Sequence, residues 1–260
     1  MMQTKFSVRK RRGGFTLIEL TVVLAVLALV THLAVRELSR FGAERLESAA
    51  ERQMAEIRAA ASAFYRDMGR LVCATNGTLS ELWRLPSDAE RYAIRAIDFH
   101  GTNILVAAGW RGPYLRLAPG RNALRDPWGN ALEYHAGDEW RRLTVSNDCA
   151  VAIAHYGNES LERDRRETSL LPEGGLAARL LVTITMESDV VRELRVGVFG
   201  ARGGRAALLA EKTLSLAADS QLVFSELAPG AKTLAIIGGG VRVIRKTDLA
   251  GGDNEIQIDL

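Results

Sequence analysis

A single carboxylate, Glu19, stands four residues beyond the Gly14–Phe15 junction and inside a run of apolar side chains. An isolated charge at the centre of a helix in lipid costs about 2.5–3.5 kcal/mol on insertion scales, so such an acid calls for a partner. Cleavage between Gly14 and Phe15 would create that partner. The new α-amine would lie four residues before Glu19, which could then neutralise it in its own chain or in a subunit packed alongside. Gly14 suits the cut, because a residue without a side chain leaves an extended backbone open to a protease.

These residues must be positioned by the apolar run itself, Phe15 to Val35, which is 21 residues long with Glu19 as its only permanently charged candidate. As a helix it extends roughly 31 Å, enough to cross a bilayer core. Five basic residues precede it, Lys5, Arg9, Lys10, Arg11 and Arg12, with no acid among residues 1–14, which predicts a cytoplasmic N-terminus and a remainder on the far side. A secretory signal peptide has a shorter apolar core, of about 7–15 residues, followed by a small-residue cleavage site. Here the run enters "VRELSRFGAERLE" with no such site. The leader also accounts for the basic charge. Removing its five cations from 34 Lys plus Arg leaves 29 against 31 Asp plus Glu, so no direct nucleic-acid partner is expected.

"GGFTLIEL", Gly13 to Leu20, resembles the class III leader of the type IV pilin and pseudopilin superfamily. That resemblance implies removal of residues 1–14 by a prepilin peptidase, N-methylation of Phe15 by the same type of enzyme, and pairing of Glu19 with the N-terminal amine of an adjacent subunit. It also implies other pilin or pseudopilin subunits and an inner-membrane assembly platform as partners. The expected location is the bacterial inner membrane, crossed once with the C-terminal part in the periplasm, and then an assembled pseudopilus or pilus.

From Arg36 to Arg70 there is no proline, and Leu38, Phe41, Leu46, Ala50, Met54, Ile57, Ala61, Phe64, Met68 and Leu71 recur mostly at helical spacing among charged residues. This predicts one helix from Phe15 to about Arg70, apolar all round at first and then amphipathic, with Gly42 as a weak point. Residues 71–90 read as irregular. "ILVAAGW" and "ALEYH" have strand character, and between them Asp126-Pro127-Trp128-Gly129-Asn130 reads as a tight turn, with Trp128 expected to cover a small core. "GPYL" followed by "DPWGN" resembles the type II secretion pseudopilin G family over residues 109–134. That family often has a calcium loop after its sheet. Asp148, Asn158, Glu159 and Asp164 are oxygen donors there, but the usual "GxDG" signature is missing, and no metal site or cofactor is expected.

Cys73 and Cys149 are the only cysteines, and on the extracytoplasmic side they are a candidate disulfide. His32, His100, His135 and His155 are scattered. After the polar stretch "RRETSLLPEGG" come seven short β-rich runs between residues 177 and 260, which predict an antiparallel sandwich. "LVFSELAPGAKTLAIIGGG" resembles an edge of transthyretin-like or Cna-B-like sandwiches. "GARGGR" and "GGG" read as hairpin turns, not phosphate loops.

The expected fold is α+β: a leader at 1–14, a transmembrane half-helix at 15–35, a pilin-like domain with a small antiparallel sheet at 36–165, and a β-sandwich at 172–260. No nucleophile elbow, HExxH, catalytic carboxylate pair or P-loop is present, so the chain reads as a structural subunit and not an enzyme. The favoured role is a pseudopilin of a type II secretion-like machine. The alternatives are a minor type IV pilin (adhesion, motility or DNA uptake) and a tethered protein that binds a ligand through its β domain.

Overall fold

The computed structural model describes residues 16–72, 79–136, 151–155, 166–169, 177–185, 192–216 and 219–260. One helix, α1 (Leu17–Met68), opens the fold, and the chain divides at Ser48/Ala49 into two compact units. In the first unit α1 buries almost nothing: Leu17 is 82% exposed and Leu33 54%. It runs unbroken through Gly42, where no neighbour would meet an added side chain. An Arg40–Glu44 ion pair of 3.1 Å lies one turn apart on its surface.

In the second unit the predicted helical stripe becomes a core. Ile57, Phe64 and Met68 pack with Leu79, Leu82, Trp110 and Leu132, while Leu38, Phe41 and Leu46 of the same stripe stay exposed. A short 3₁₀ turn, Ser80–Leu82, interrupts the segment read as irregular. Strands β1 (Ala93–Phe99) and β2 (Thr102–Ala108) form an antiparallel hairpin. Only β2 was legible, because Arg95 and Asp98 break up the apolar pattern of β1. A second antiparallel sheet joins β3 (Glu133–Ala136), β4 (Val151–His155) and β5 (Arg166–Ser169) in that order. Strand β5 takes "RETS" from the stretch that the sequence presents as linker.

The seven β-rich runs become seven strands: β6 (Ala178–Thr185), β7 (Arg192–Arg202), β8 (Arg205–Leu216), β9 (Ser220–Leu227), β10 (Gly230–Gly238), β11 (Val241–Leu249) and β12 (Gly252–Asp259). One sheet has the order β11-β10-β7-β8 and the other β12-β6-β9. Their facing side chains, among them Leu180, Val182, Val196, Val198, Phe224 and Ile236, form one buried core. Between β7 and β8 the turn is Gly203-Gly204, both with positive φ, the two-residue geometry that matches strand twist. All sandwich pairs are antiparallel except β12–β6, which is parallel. The short connection after β11 carries the chain to the other sheet, where β12 adds to a strand far back in sequence and local hairpin geometry no longer sets its sense.

The four-stranded sheet is covered on its second face as well. Phe99, Ile104 and Val106 of the β1–β2 hairpin pack on Phe199 and Ala235, with Phe99 and Phe199 edge to face at 5.2 Å. Tyr65 of α1 is buried against Ala228 in the β9–β10 connection. The end of α1 therefore serves two cores, one on each side of the helix.

Two buried ionic groups regulate this packing. Arg70 binds Glu81 through two nitrogens at 2.9 and 3.0 Å, with both side chains about nine-tenths buried, and reaches Asp88 at 3.2 Å. Removing one member of a buried pair strands the other, at about 3–5 kcal/mol. Glu81→Leu is therefore expected to destabilise by about that amount in urea unfolding of the detergent-solubilised chain, and Arg70→Met added to it to recover most of the loss. Lys232, 3% exposed, donates to the carbonyls of Pro229, Gly230 and Ala231 at 3.3–3.4 Å. Burial pushes its amine down to about 8, with Arg66 adding to the shift and Asp248 opposing it. The unfolded amine binds a proton up to about pH 10.4, so the unfolded state holds more protons between these values and stability rises with pH there. Above about pH 10 the trend reverses, because burial raises Tyr65 to about 12 and also raises Tyr114. Urea midpoints measured from pH 7 to 10 should climb, and Lys232→Met should flatten the climb.

Candidate assembly site at the helix N-terminus

Thr16 precedes the first helical residue, and Glu19 lies three residues on. Glu19 Oε2 accepts from the Thr16 backbone N–H at 2.8 Å and from Thr16 Oγ1 at 2.9 Å, while Thr16 Oγ1 accepts from the Glu19 N–H at 3.3 Å. This reciprocal arrangement is a capping box, which satisfies helix donors that would otherwise lack partners. The favourable dipole at a helix N-terminus adds to the attraction for a carboxylate. The T-x-x-E spacing of Thr16 and Glu19 is a capping-box signature readable in the sequence.

The arrangement fixes where the acid points. Its carboxylate turns back along the chain toward the Thr16 N–H, the peptide next to Phe15. A carboxylate in that position can accept hydrogen bonds from an ammonium group as readily as from a peptide N–H, and more strongly. Elsewhere in the apolar stretch the polar atoms are satisfied internally: Thr21 Oγ1 donates to the Ile18 carbonyl at 2.8 Å and Thr31 Oγ1 to that of Leu27 at 2.7 Å. His32 is exposed on the same stretch. Gly14 and Phe15 lie outside the described residues.

A second set of predicted residues lies in the globular unit. The chain reverses at Asp126–Asn130, where the Gly129 N–H donates to the Asp126 carbonyl at 3.0 Å and Asp126 Oδ1 accepts from the Asn130 N–H at 2.7 Å. Gly129 has φ 93°, a conformation that favours glycine. Asp126 is buried. Trp128 is only partly buried, and the indole that fills the core is Trp110, whose Nε1 donates to the Glu81 carbonyl at 2.9 Å. Nothing in the residues around them ranks the two tryptophans. The "GPYL" block docks this region on α1: the Tyr114 and Leu115 N–H groups both donate to the Leu82 carbonyl, at 2.7 and 3.1 Å, and the Tyr114 hydroxyl donates to Asp67 at 3.0 Å. Gln53 Nε2 reaches the Arg125 carbonyl at 2.8 Å, tying the turn segment to the same helix. Cys73, Cys149, Asp148, Asn158, Glu159 and Asp164 lie outside the described residues. Among the described residues, no group of three or more His, Cys, Asp or Glu side chains is placed to hold a metal.

Residues 9–35 match the family model of the prokaryotic N-terminal methylation motif, the prepilin-type signature of type IV pilins and pseudopilins. No curated protein matches the chain. The motif implies processing by a prepilin peptidase and assembly with other pilin subunits. Among the described residues α1 is the one helix long and apolar enough to cross a membrane, which fits a membrane-anchored protein. Replacing the cap hydroxyl with Thr16→Ala should cost the first turn about 1 kcal/mol, read as roughly five-fold faster amide exchange at residues 18–20 in micelles.

Proposed function

We propose that the chain is a structural subunit of the pseudopilin type, cut after Gly14, N-methylated at Phe15, and assembled into the pseudopilus of a type II secretion-like machine. The observation that carries this reading is the capping-box carboxylate of Glu19, aimed at the peptide beside Phe15 within the matched motif. The precursor is held in the inner membrane by residues 15–35, with its N-terminus in the cytoplasm and its β domains in the periplasm. Once residues 1–14 are removed, Glu19 gains the new amine, its own or a neighbour's, beside the Thr16 N–H that it already accepts from. Charge neutralisation of that kind removes the main penalty against packing apolar helices side by side. The pilin-like part at 36–165, closed by a Cys73–Cys149 disulfide, and the sandwich at 172–260 are carried as periplasmic modules, tied to α1 by the Tyr114–Asp67 hydrogen bond and the Tyr65–Ala228 contact.

The "GPYL" and "DPWGN" blocks, which resemble the type II secretion pseudopilin G family, favour a pseudopilin over a minor pilin. The seven-stranded sandwich favours a low-abundance or tip position. Intact mass and N-terminal sequencing, from cells with and without the peptidase, test the processing step. A start at methylated Phe15 only where the peptidase is present is the expected result, and a Met1 start in both would refute it. Glu19→Ala should be processed normally yet drop out of sheared filaments by at least ten-fold. Unchanged incorporation would remove the amine-pairing role.

A further inference from the structure

Strands β11 and β12 are the outer strands of the two sandwich sheets and follow one another in the chain, so they share one flank, while β8 and β9 meet on the other. Neither has a second strand partner among the described residues. Their charges are opposite. On the outward face of β11 stand exposed Arg242, Ile244 and Lys246, neither cation in an ion pair among the described residues, and Asp248, which pairs with Arg66; exposed Arg245 lies on the opposite face. The outward face of β12 carries Asp253, Glu255 and Asp259, with Gln257 between. Asp253 has a distant cation in Arg179 at 3.9 Å, and Glu255 has none.

We propose that this flank is an interface between two copies of the chain, in which β11 of one copy pairs antiparallel with β12 of the other. A two-fold axis along the strands sets the flanks face to face, so that the four-stranded sheet of each copy continues into the three-stranded sheet of its partner, and the contact is made twice. One register puts Arg242 opposite Asp259 and Lys246 opposite Glu255, with Ile244 over Gln257; it also sets Asp248 opposite Asp253, but each of these acids has a cation in its own chain, Arg66 and Arg179. Opposite charges placed directly across a strand pair favour that register, and like charges disfavour β11 meeting β11. Basic side chains on an edge strand also serve to repel other edges. A purely protective role needs no matching acidic strand on the same flank, whereas pairing does. The occupant is a second copy because both halves of the complement are on this chain, which on the reading above meets its own kind or close relatives during assembly. The interface does not depend on leader cleavage.

The test uses the full chain in detergent, an equal mixture of ¹⁵N-labelled and unlabelled protein, and a zero-length carbodiimide cross-linker. The expected product is a mixed-isotope dimer whose digest joins the Lys246 peptide to the Glu255 peptide. Arg242→Glu should lower that product at least ten-fold, as should Asp259→Lys, and mixing these two variants should restore it between them. Absence of the link in the unaltered chain, its survival in either variant, or failure of the mixture to restore it would overturn the proposal. Circular dichroism of each variant must match the parent for its loss to count. Leader removal scored by mass on the same samples separates a failure here from a failure of the functional reading.

Discussion

An apolar helix segment with nothing of its own to bury against conditions the rest of the molecule. From Leu17 to beyond Leu33 the side chains of α1 are exposed all round. Apolar surface on that scale is not tolerated in water, so this part of the helix must be solvated by lipid or by other helices. In lipid the driving force between helices is packing and polar pairing, not water exclusion. A polar group in such a segment is consequently a strong lever. Thr21 and Thr31 are neutralised by their own backbone, which leaves Glu19 as the one permanently charged side chain there whose partner can change.

The second half of α1 solves the opposite problem. Its stripe finds partners at once, through Leu79, Leu82 and Trp110 on one side and the sandwich connection at Ala228 on another. Charge and hydrogen bonding add to that packing: the Arg70–Glu81 pair past the helix end, Tyr114 on Asp67, and two N–H groups on one carbonyl of Leu82. The hairpin β1–β2 then covers the outer face of the four-stranded sheet, so the modules named from the sequence as pilin-like and sandwich share buried surface.

What was legible followed from patterns that burial enforces. The long helix could be read from its unbroken apolar run, and the stripe from Ala50 onward and all seven sandwich runs from their periodicity between clear turn residues. The parallel β12–β6 pair was not legible, since alternation identifies a strand but carries no record of a neighbour more than seventy residues away. Strand β1 escaped because Arg95 sits in it, half exposed and paired with Glu90. Trp110 fills the core while Trp128 is half-buried, and the sequence does not separate them: an indole beside a turn and an indole beside a strand look alike until tertiary packing places them.

At the helix N-terminus the legible and the illegible meet. The sequence argued that Glu19 needs a cation, from the cost of burying a charge. The geometry adds that it has a partner already, the Thr16 N–H and hydroxyl. These are compatible, because a capping box satisfies a carboxylate without neutralising it. Before a cut the acid is hydrogen-bonded but still charged, which suits a position at the membrane edge and penalises burial among other helices. An ammonium group one residue upstream would supply the missing charge without moving the carboxylate out of its cap. On that argument Thr16 would keep the acid aimed at an amine created by a cut after Gly14, and the penalty against packing a precursor beside its neighbours would disappear with that cut.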